Sequence, residues 1–184
     1  DEDASQFARL HALREELRAQ LAGTLPGREA QYRLMPKPRG GMTFRGEAGT
    51  DARQGGVLSL IYLYEMRPHV ALILRPIYAG VHSGQVAFPG GGKEPGDADL
   101  TATALREAYE EIGIVPEAVD VLGTLSPLYV VASNYLVLPT VGCSDRRPEF
   151  HADPYEVAQV VEAPLADLLN AAHFRREEWT LRGY

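Results

Sequence analysis

Apolar side chains at Phe7, Leu10, Leu13, Leu17 and Leu21 recur three and four residues apart among arginines and glutamates, which predicts an amphipathic helix over 7–21. A stripe of this kind is buried by packing against a larger body. Residues 22–56 are rich in Gly, Pro and Arg, show no period, and read as an irregular connection. Next come two short runs of β-branched and aromatic residues, 57–64 and 69–74, separated by Glu65-Met66-Arg67-Pro68, which predict two antiparallel strands. Both runs carry apolar residues at odd and even positions, so the sheet is expected to be covered on both faces. Residues 85–88 predict another short strand, ended by the breaker Pro89-Gly90-Gly91-Gly92. A helix then starts at Asp97 or Asp99, either of which can cap it, and runs to Ile112, with Gly113 as its stop. Residues 119–125, 135–141 and 157–161 read as further strands and 165–170 as a short helix. The fold class expected is α/β (α+β) in one structural domain, with residues 1–56 packing on a main domain at 57–184.

On a helical wheel of ~100° per residue, Leu105, Ala108, Tyr109 and Ile112 share one apolar stripe, and Glu107, Glu110 and Glu111 lie opposite it. The three carboxylates are therefore expected to face away from the core together. Like charges at this spacing cost a helix roughly 0.2–0.5 kcal/mol per pair. A hard divalent cation reverses that sign, since magnesium takes oxygen ligands at ~2.0–2.1 Å and leaves room for substrate phosphates. An isolated Glu-x-x-Glu-Glu is usually a solvated helix face. Here it follows Phe88-Pro89-Gly90-Gly91-Gly92-Lys93, and glycines let backbone N–H groups approach and hold phosphate oxygens.

Charge and length narrow the chemistry. At 184 residues the chain has enough core to fold without disulfides, and its one cysteine, Cys143, lies in an apolar stretch as a small hydrophobe. No run approaches the ~20 apolar residues of a membrane helix, and the acidic beginning is unlike a signal peptide, so the cytoplasm is the expected location and no membrane partner is expected. A net charge of -7 opposes binding to a nucleic-acid backbone. For a polyanionic substrate, metal must bring the positive charge.

The stretch 91–114, with Arg106-Glu107-Ala108-Tyr109-Glu110-Glu111-Ile112-Gly113-Ile114, resembles the Nudix box. The resemblance implies an αβα sandwich with a mixed β-sheet, and hydrolysis of a nucleoside diphosphate linked to another group with Mg2+ or Mn2+. It makes Glu107, Glu110 and Glu111 metal ligands and Arg106 the salt-bridging residue that orients them. The usual box has a glutamate where this chain has Ala98; counting from Gly91 puts Asp97 at the acidic position with one extra residue following. That expansion resembles the coenzyme A pyrophosphatase branch. Leu72, Arg75, Gly84, Phe88, Pro89, Gly90 and Gly91 keep the branch's upstream register, while Ile73, Pro76 and Gly80 depart from it. Downstream, Tyr155-Glu156-Val157 and the run 163–168 also resemble the branch.

The function this implies is cleavage of coenzyme A or a derivative into 3',5'-ADP and 4'-phosphopantetheine. Alternatives are a Nudix hydrolase of ADP-ribose or NADH, and a nucleotide-binding module without catalysis. Glu107, Glu111 and Glu156 are the candidates for general base. Arg75, His82, Lys93 and the glycines Gly90, Gly91 and Gly92 are the candidates for substrate contact. The resemblance also implies a second long helix, which the sequence is either cut before or lacks; where it is lacking, one layer of the sandwich is thin and a partner subunit, in a homodimer, is expected to cover the sheet.

Overall fold

In the computed structural model, which describes residues 2–35, 47–79, 82–175 and 177–178, the fold is arranged around one long strand. The described elements are, in order, α1 (Glu2–Leu21), α2 (Gly27–Leu34), β1 (Arg53–Tyr64), β2 (Arg67–Leu74), β3 (Val86–Ala87), β4 (Gly90–Gly92), α3 (Leu100–Ile112), β5 (Asp120–Thr124), β6 (Leu128–Val130), β7 (Tyr135–Ser144), β8 (Gln159–Pro164) and α4 (Leu165–Leu169). Short 3-10 turns lie between them at Pro116–Ala118 and Val131–Ser133, and a third follows α4 at Ala171–His173.

β1 and β2 form the expected antiparallel hairpin, in register from Ile61↔Val70 to Tyr64↔Arg67. Its turn residues Glu65 and Met66 both have positive φ, 47° and 61°, as a tight two-residue hairpin turn requires. β7 runs parallel to β1 from Arg53↔Tyr135 to Tyr62↔Ser144, and β5 and β6 add antiparallel to β7. On the other side, β8 pairs with β2 from His69↔Pro164 to Leu74↔Gln159. Past Val70 the hairpin strands part, and the chain 86–92 fills the gap, with β3 on β2 and β4 on β1. The result is one mixed sheet of eight strands among the described residues.

Alternation along β1 sends Leu58, Leu60 and Tyr62 to one face, where they pack with Ala71, Ile73 and the α3 residues Ala104, Ala108 and Ile112. Ile61 points the other way, with Val70, Leu122, Val141 and Cys143, and α1 covers that face through Leu10, Leu13, Leu17 and Leu21. This is the expected αβα sandwich. α1 is further held by Arg18, which donates to both carboxylate oxygens of Asp120 at 2.9 and 2.8 Å, and by Arg14, which pairs with Asp145. α1 thus supplies the layer on this face. No helix among the described residues is long and apolar enough to cross a membrane.

Several boundaries differ from the sequence expectation. The stretch 22–56 is not wholly irregular: it contains α2 and the first residues of β1. β6 is too short to show a period. Pro89-Gly90-Gly91-Gly92 does not break the structure, since Gly90–Gly92 pairs with Gly55, Gly56 and Val57 as β4. Propensity counts glycine against a strand, but a strand without side chains can lie in a gap closed to any other residue.

Candidate active site

α3 begins on Asp99, whose carboxylate accepts the Ala102 N–H at 2.8 Å, and ends on Gly113 in the left-handed region at φ 75°. Both caps agree with the sequence reading. The face that α3 buries does not: Thr103, Ala104, Ala108, Glu111 and Ile112 are buried, whereas Tyr109 is 54% exposed. The three glutamates therefore do not point outward together. Glu111 is 1% exposed and directed at the sheet, Glu110 faces solvent, and Glu107 lies between them.

Glycines across the interface explain the rotation. A Cβ at Gly56 would lie 2.1 Å from the Leu100 carbonyl oxygen, and one at Gly91 would lie 2.4 Å from the Glu107 carboxylate. With no side chain at Gly56 the helix comes down on Leu100 and Ala104 and carries Glu111 inside, while Gly91 leaves room for the Glu107 carboxylate. The inner oxygen of Glu111 accepts the Gly90 N–H at 2.8 Å, and its other oxygen is 3.6 Å from the Arg75 guanidinium, which also reaches the Gly90 carbonyl. Burial pushes the Glu111 carboxyl up to about 7; the Gly90 N–H and Arg75 oppose the shift, and the charges of Glu107 and Glu156 add to it. Burial also raises Glu107, with Arg106 opposing and Glu110 and Glu156 adding.

Arg106 organises the outer side. Its Nε and Nη2 donate to the two oxygens of Asp97 at 3.0 Å each, Nη2 also to the Gly92 carbonyl at 2.9 Å, and Nη1 to Glu107 at 3.0 Å and Glu110 at 2.8 Å. Asp97 is held well below the usual carboxylate range, first by Arg106, then by the Glu94 N–H, with the Thr103 hydroxyl helping against burial. The Arg106 guanidinium is correspondingly raised, chiefly by Asp97. Asp97, not the exposed Ala98, is thus the acidic partner of Arg106, as the expanded register implies.

The connection 145–158 closes the site from the other end of α3. Its His151 and Asp153 N–H groups donate to the Ile112 and Glu111 carbonyls at 3.0 and 2.9 Å, satisfying acceptors that a helix end leaves free. It brings Glu156, an exposed side chain, within electrostatic reach of both Glu107 and Glu111.

Of the residues expected at the site, the structure brings together Glu107, Glu111, Glu156, Arg106 and Arg75. Glu110 is turned to Arg106. Lys93 is exposed, its N–H bonded to the Gln54 carbonyl, and His82 pairs with the Gln85 side chain at 2.9 Å; neither touches the carboxylates. Gly80 lies outside the described residues. In this structure the Gly90 amide is taken by Glu111 and β4 is paired along β1, so the glycines expected to hold phosphate also serve close approach. Gly56 is the partner that the sequence reading missed, because it ended the irregular stretch there, whereas β1 starts at Arg53 and makes it a glycine inside a strand.

The donor set suits a hard cation. Among the described residues no three acidic, histidine or cysteine side chains already surround a point. Yet Glu107 and Glu111 are oxygen donors held where burial disfavours their charge, which a magnesium- or manganese-class ion would relieve.

A family model described as the NUDIX domain matches residues 54–182. The chain is 37% identical over 153 residues to the uncharacterized Nudix hydrolase NudL of Photorhabdus laumondii, covering 83% of this chain and 77% of that protein. It is 40% identical over 131 residues to the NudL of Citrobacter koseri, covering 71% and 67%. Among solved structures, a NUDIX hydrolase from Alicyclobacillus acidocaldarius aligns with a TM-score of 0.54 at 20% identity, over 65% of this chain and 82% of that one. The NUDIX domain of Shewanella oneidensis NrtR, complexed with ADP ribose, aligns with a TM-score of 0.51 at 21% identity, over 77% and 86%. These two likenesses bear on the fold alone.

Proposed function

The chain belongs to the Nudix hydrolase family, and from that premise we propose that it cleaves the phosphoanhydride bond of coenzyme A or a derivative, giving 3',5'-ADP and 4'-phosphopantetheine. The observation that carries the reading is the gathering of Glu107, Glu111 and Glu156 beside Arg75, with Asp97 pairing Arg106 in the expanded register. Arg75 keeps the upstream register of the coenzyme A branch, and Glu111 holds it beside the glycine strand.

The reaction adds water across P–O–P: one phosphorus gains the water oxygen, and the bridging oxygen leaves with the other phosphate. Glu107 and Glu111, joined by Glu110 if it leaves Arg106, would hold Mg2+ or Mn2+, which when bound offsets the diphosphate charge and makes water a better nucleophile. Arg75 sits where a guanidinium can orient a phosphate oxygen. The proton of the attacking water goes to Glu156. Glu107 is bonded to Arg106 and Glu111 to Gly90, whereas the Glu156 carboxylate makes no bond among the described residues. Arg106 and Asp97 keep Glu107 in place.

Pro76 and Gly80 depart from the branch signature, which favours ADP-ribose or NADH as the second reading. Coenzyme A, ADP-ribose, NADH and diadenosine polyphosphates assayed side by side with Mg2+ and with Mn2+ separate the two. Fastest release of 3',5'-ADP supports coenzyme A; turnover no faster than that of the others overturns it.

A further inference from the structure

Glu156 sits on an irregular connection, and a reacting carboxylate on a loop needs something to hold it in place. The amide bonds of His151 and Asp153 fix one part of the connection to α3, and Val157, buried in the core with its neighbour Ala158 bonded to the Leu74 carbonyl, fixes the end. The start is held differently. Arg147 donates through Nε and Nη2 to the two oxygens of Glu162 on β8, at 2.8 and 2.6 Å, a fork of two parallel bonds. Glu162 is fixed in turn, because the hydroxyl of the fully buried Tyr62 donates to its Oε2 at 2.9 Å. The guanidinium lies over the Tyr64 ring at 4.7 Å and near the Phe150 ring at 5.5 Å, while Phe150 meets Tyr62 edge-on at 5.8 Å. Neither Arg147 nor Glu162 is in the box, and neither touches the carboxylate site.

We propose that the Arg147–Glu162 fork is a positioning device for the reaction, locking the connection 145–158 so that Glu156 faces Glu107 and Glu111. This rests on the reading of Glu156 as proton acceptor. The geometry favours it over a role in stability alone. The fork ties the connection to β8, the strand at which the connection ends, so it closes a loop whose middle is pinned to the Glu111 carbonyl. Glu162 is itself anchored from the core, so the loop is registered against the sheet that carries the rest of the site.

The test uses the full chain with Glu162→Gln, which keeps an oxygen for Tyr62, and with Arg147→Met. Amide hydrogen exchange at Asp153 and Val157 is expected to quicken about tenfold or more while α3 interior amides stay protected. With coenzyme A and Mg2+, kcat is expected to fall about 10- to 100-fold with KM moving less than about threefold. In a Glu156→Gln background the same substitutions are expected to cost nothing further, and Arg147→Lys, which keeps charge without the fork, to fall between. Unchanged exchange at Asp153 and Val157 overturns the proposal, as do rate losses that multiply in the double variants, or melting that drops with kcat unchanged. If the wild type does not turn over coenzyme A, the substrate reading fails; the exchange measurement, which needs no substrate, still decides whether the fork holds the loop.

Discussion

The two helices that cover the sheet obey different rules. α1 lies on its face by ordinary amphipathic logic, with Leu10, Leu13, Leu17 and Leu21 inward, only Phe7 of the expected stripe left 52% exposed near the helix start, and Arg14 and Arg18 at the edge pairing with Asp120 and Asp145. α3 breaks that logic at two places, burying Glu111 and exposing Tyr109. A helix that only packs can be read from its periodicity. A helix proposed to present chemistry, α3 spends stability to hold a carboxylate where water cannot dissolve its charge.

Glu111→Gln sharpens this contrast most. Product release is expected to fall on the order of a thousandfold, while the protein without divalent metal becomes more stable. Folding raises this carboxyl from 4.5 to about 7, so the folded form keeps a proton that the unfolded chain releases as pH rises through that window, and wild-type stability falls across it. Glutamine has no such loss. Its advantage should be absent below about pH 4.5 and full above about pH 7, on the order of 2–3 kcal/mol in urea melts. A wild type as stable as the variant at pH 8 without metal would contradict the buried charge.

Leu10→Ala is the counterpart on α1. Loss of a side chain only 2% exposed is expected to cost about 2–4 kcal/mol in denaturant midpoint. The kcat per folded molecule should stay within error of wild type. A matching fall in kcat would mean that the two faces of the sheet are coupled.

Asp97→Asn tests the scaffold of α3. It removes the carboxylate that receives two bonds from Arg106 and is expected to cost about 2–3 kcal/mol at pH 7. The Asp97 carboxyl is lowered by folding, so its contribution is full above about pH 4 and is lost as pH falls toward its folded value. The deficit of the variant should shrink in acid melts; a constant deficit would point to packing instead.

Gly91→Ala has the smallest expected effect on stability. Its Cβ meets only the flexible end of Glu107, so the melting temperature should move by no more than about 3 °C while kcat falls about tenfold. Gly90→Ala provides the contrast within one strand. There φ is 153° and the new atom would lie 2.3 Å from the Gly56 carbonyl oxygen, so the fold itself should suffer.

The parts of the site legible in the sequence are those set by local chemistry. Asp99 and Gly113 bracket α3 because capping depends on neighbouring residues, and Arg106 finds Asp97 because a nine-residue separation across the helix start brings them together. The hairpin of β1 and β2 and the stripe of α1 follow from runs of apolar residues. The identity of the carboxylates, and so the proposal of a hard cation, also lies in the sequence.

Which way those carboxylates point was decided by the tertiary structure. Periodicity ranks side chains by polarity, and on that scale Glu111 belongs outside and Tyr109 inside. The order reverses because Gly56 clears a space that only the helix backbone and the small Ala104 can fill, and because partners for Glu111 arrive from distant segments, Gly90 on β4 and Arg75 after β2. The same holds for Glu156, on a connection whose anchors are the α3 carbonyls and the Arg147–Glu162 fork. A buried charge is tolerable only where the fold brings such partners to it, and no local pattern records them.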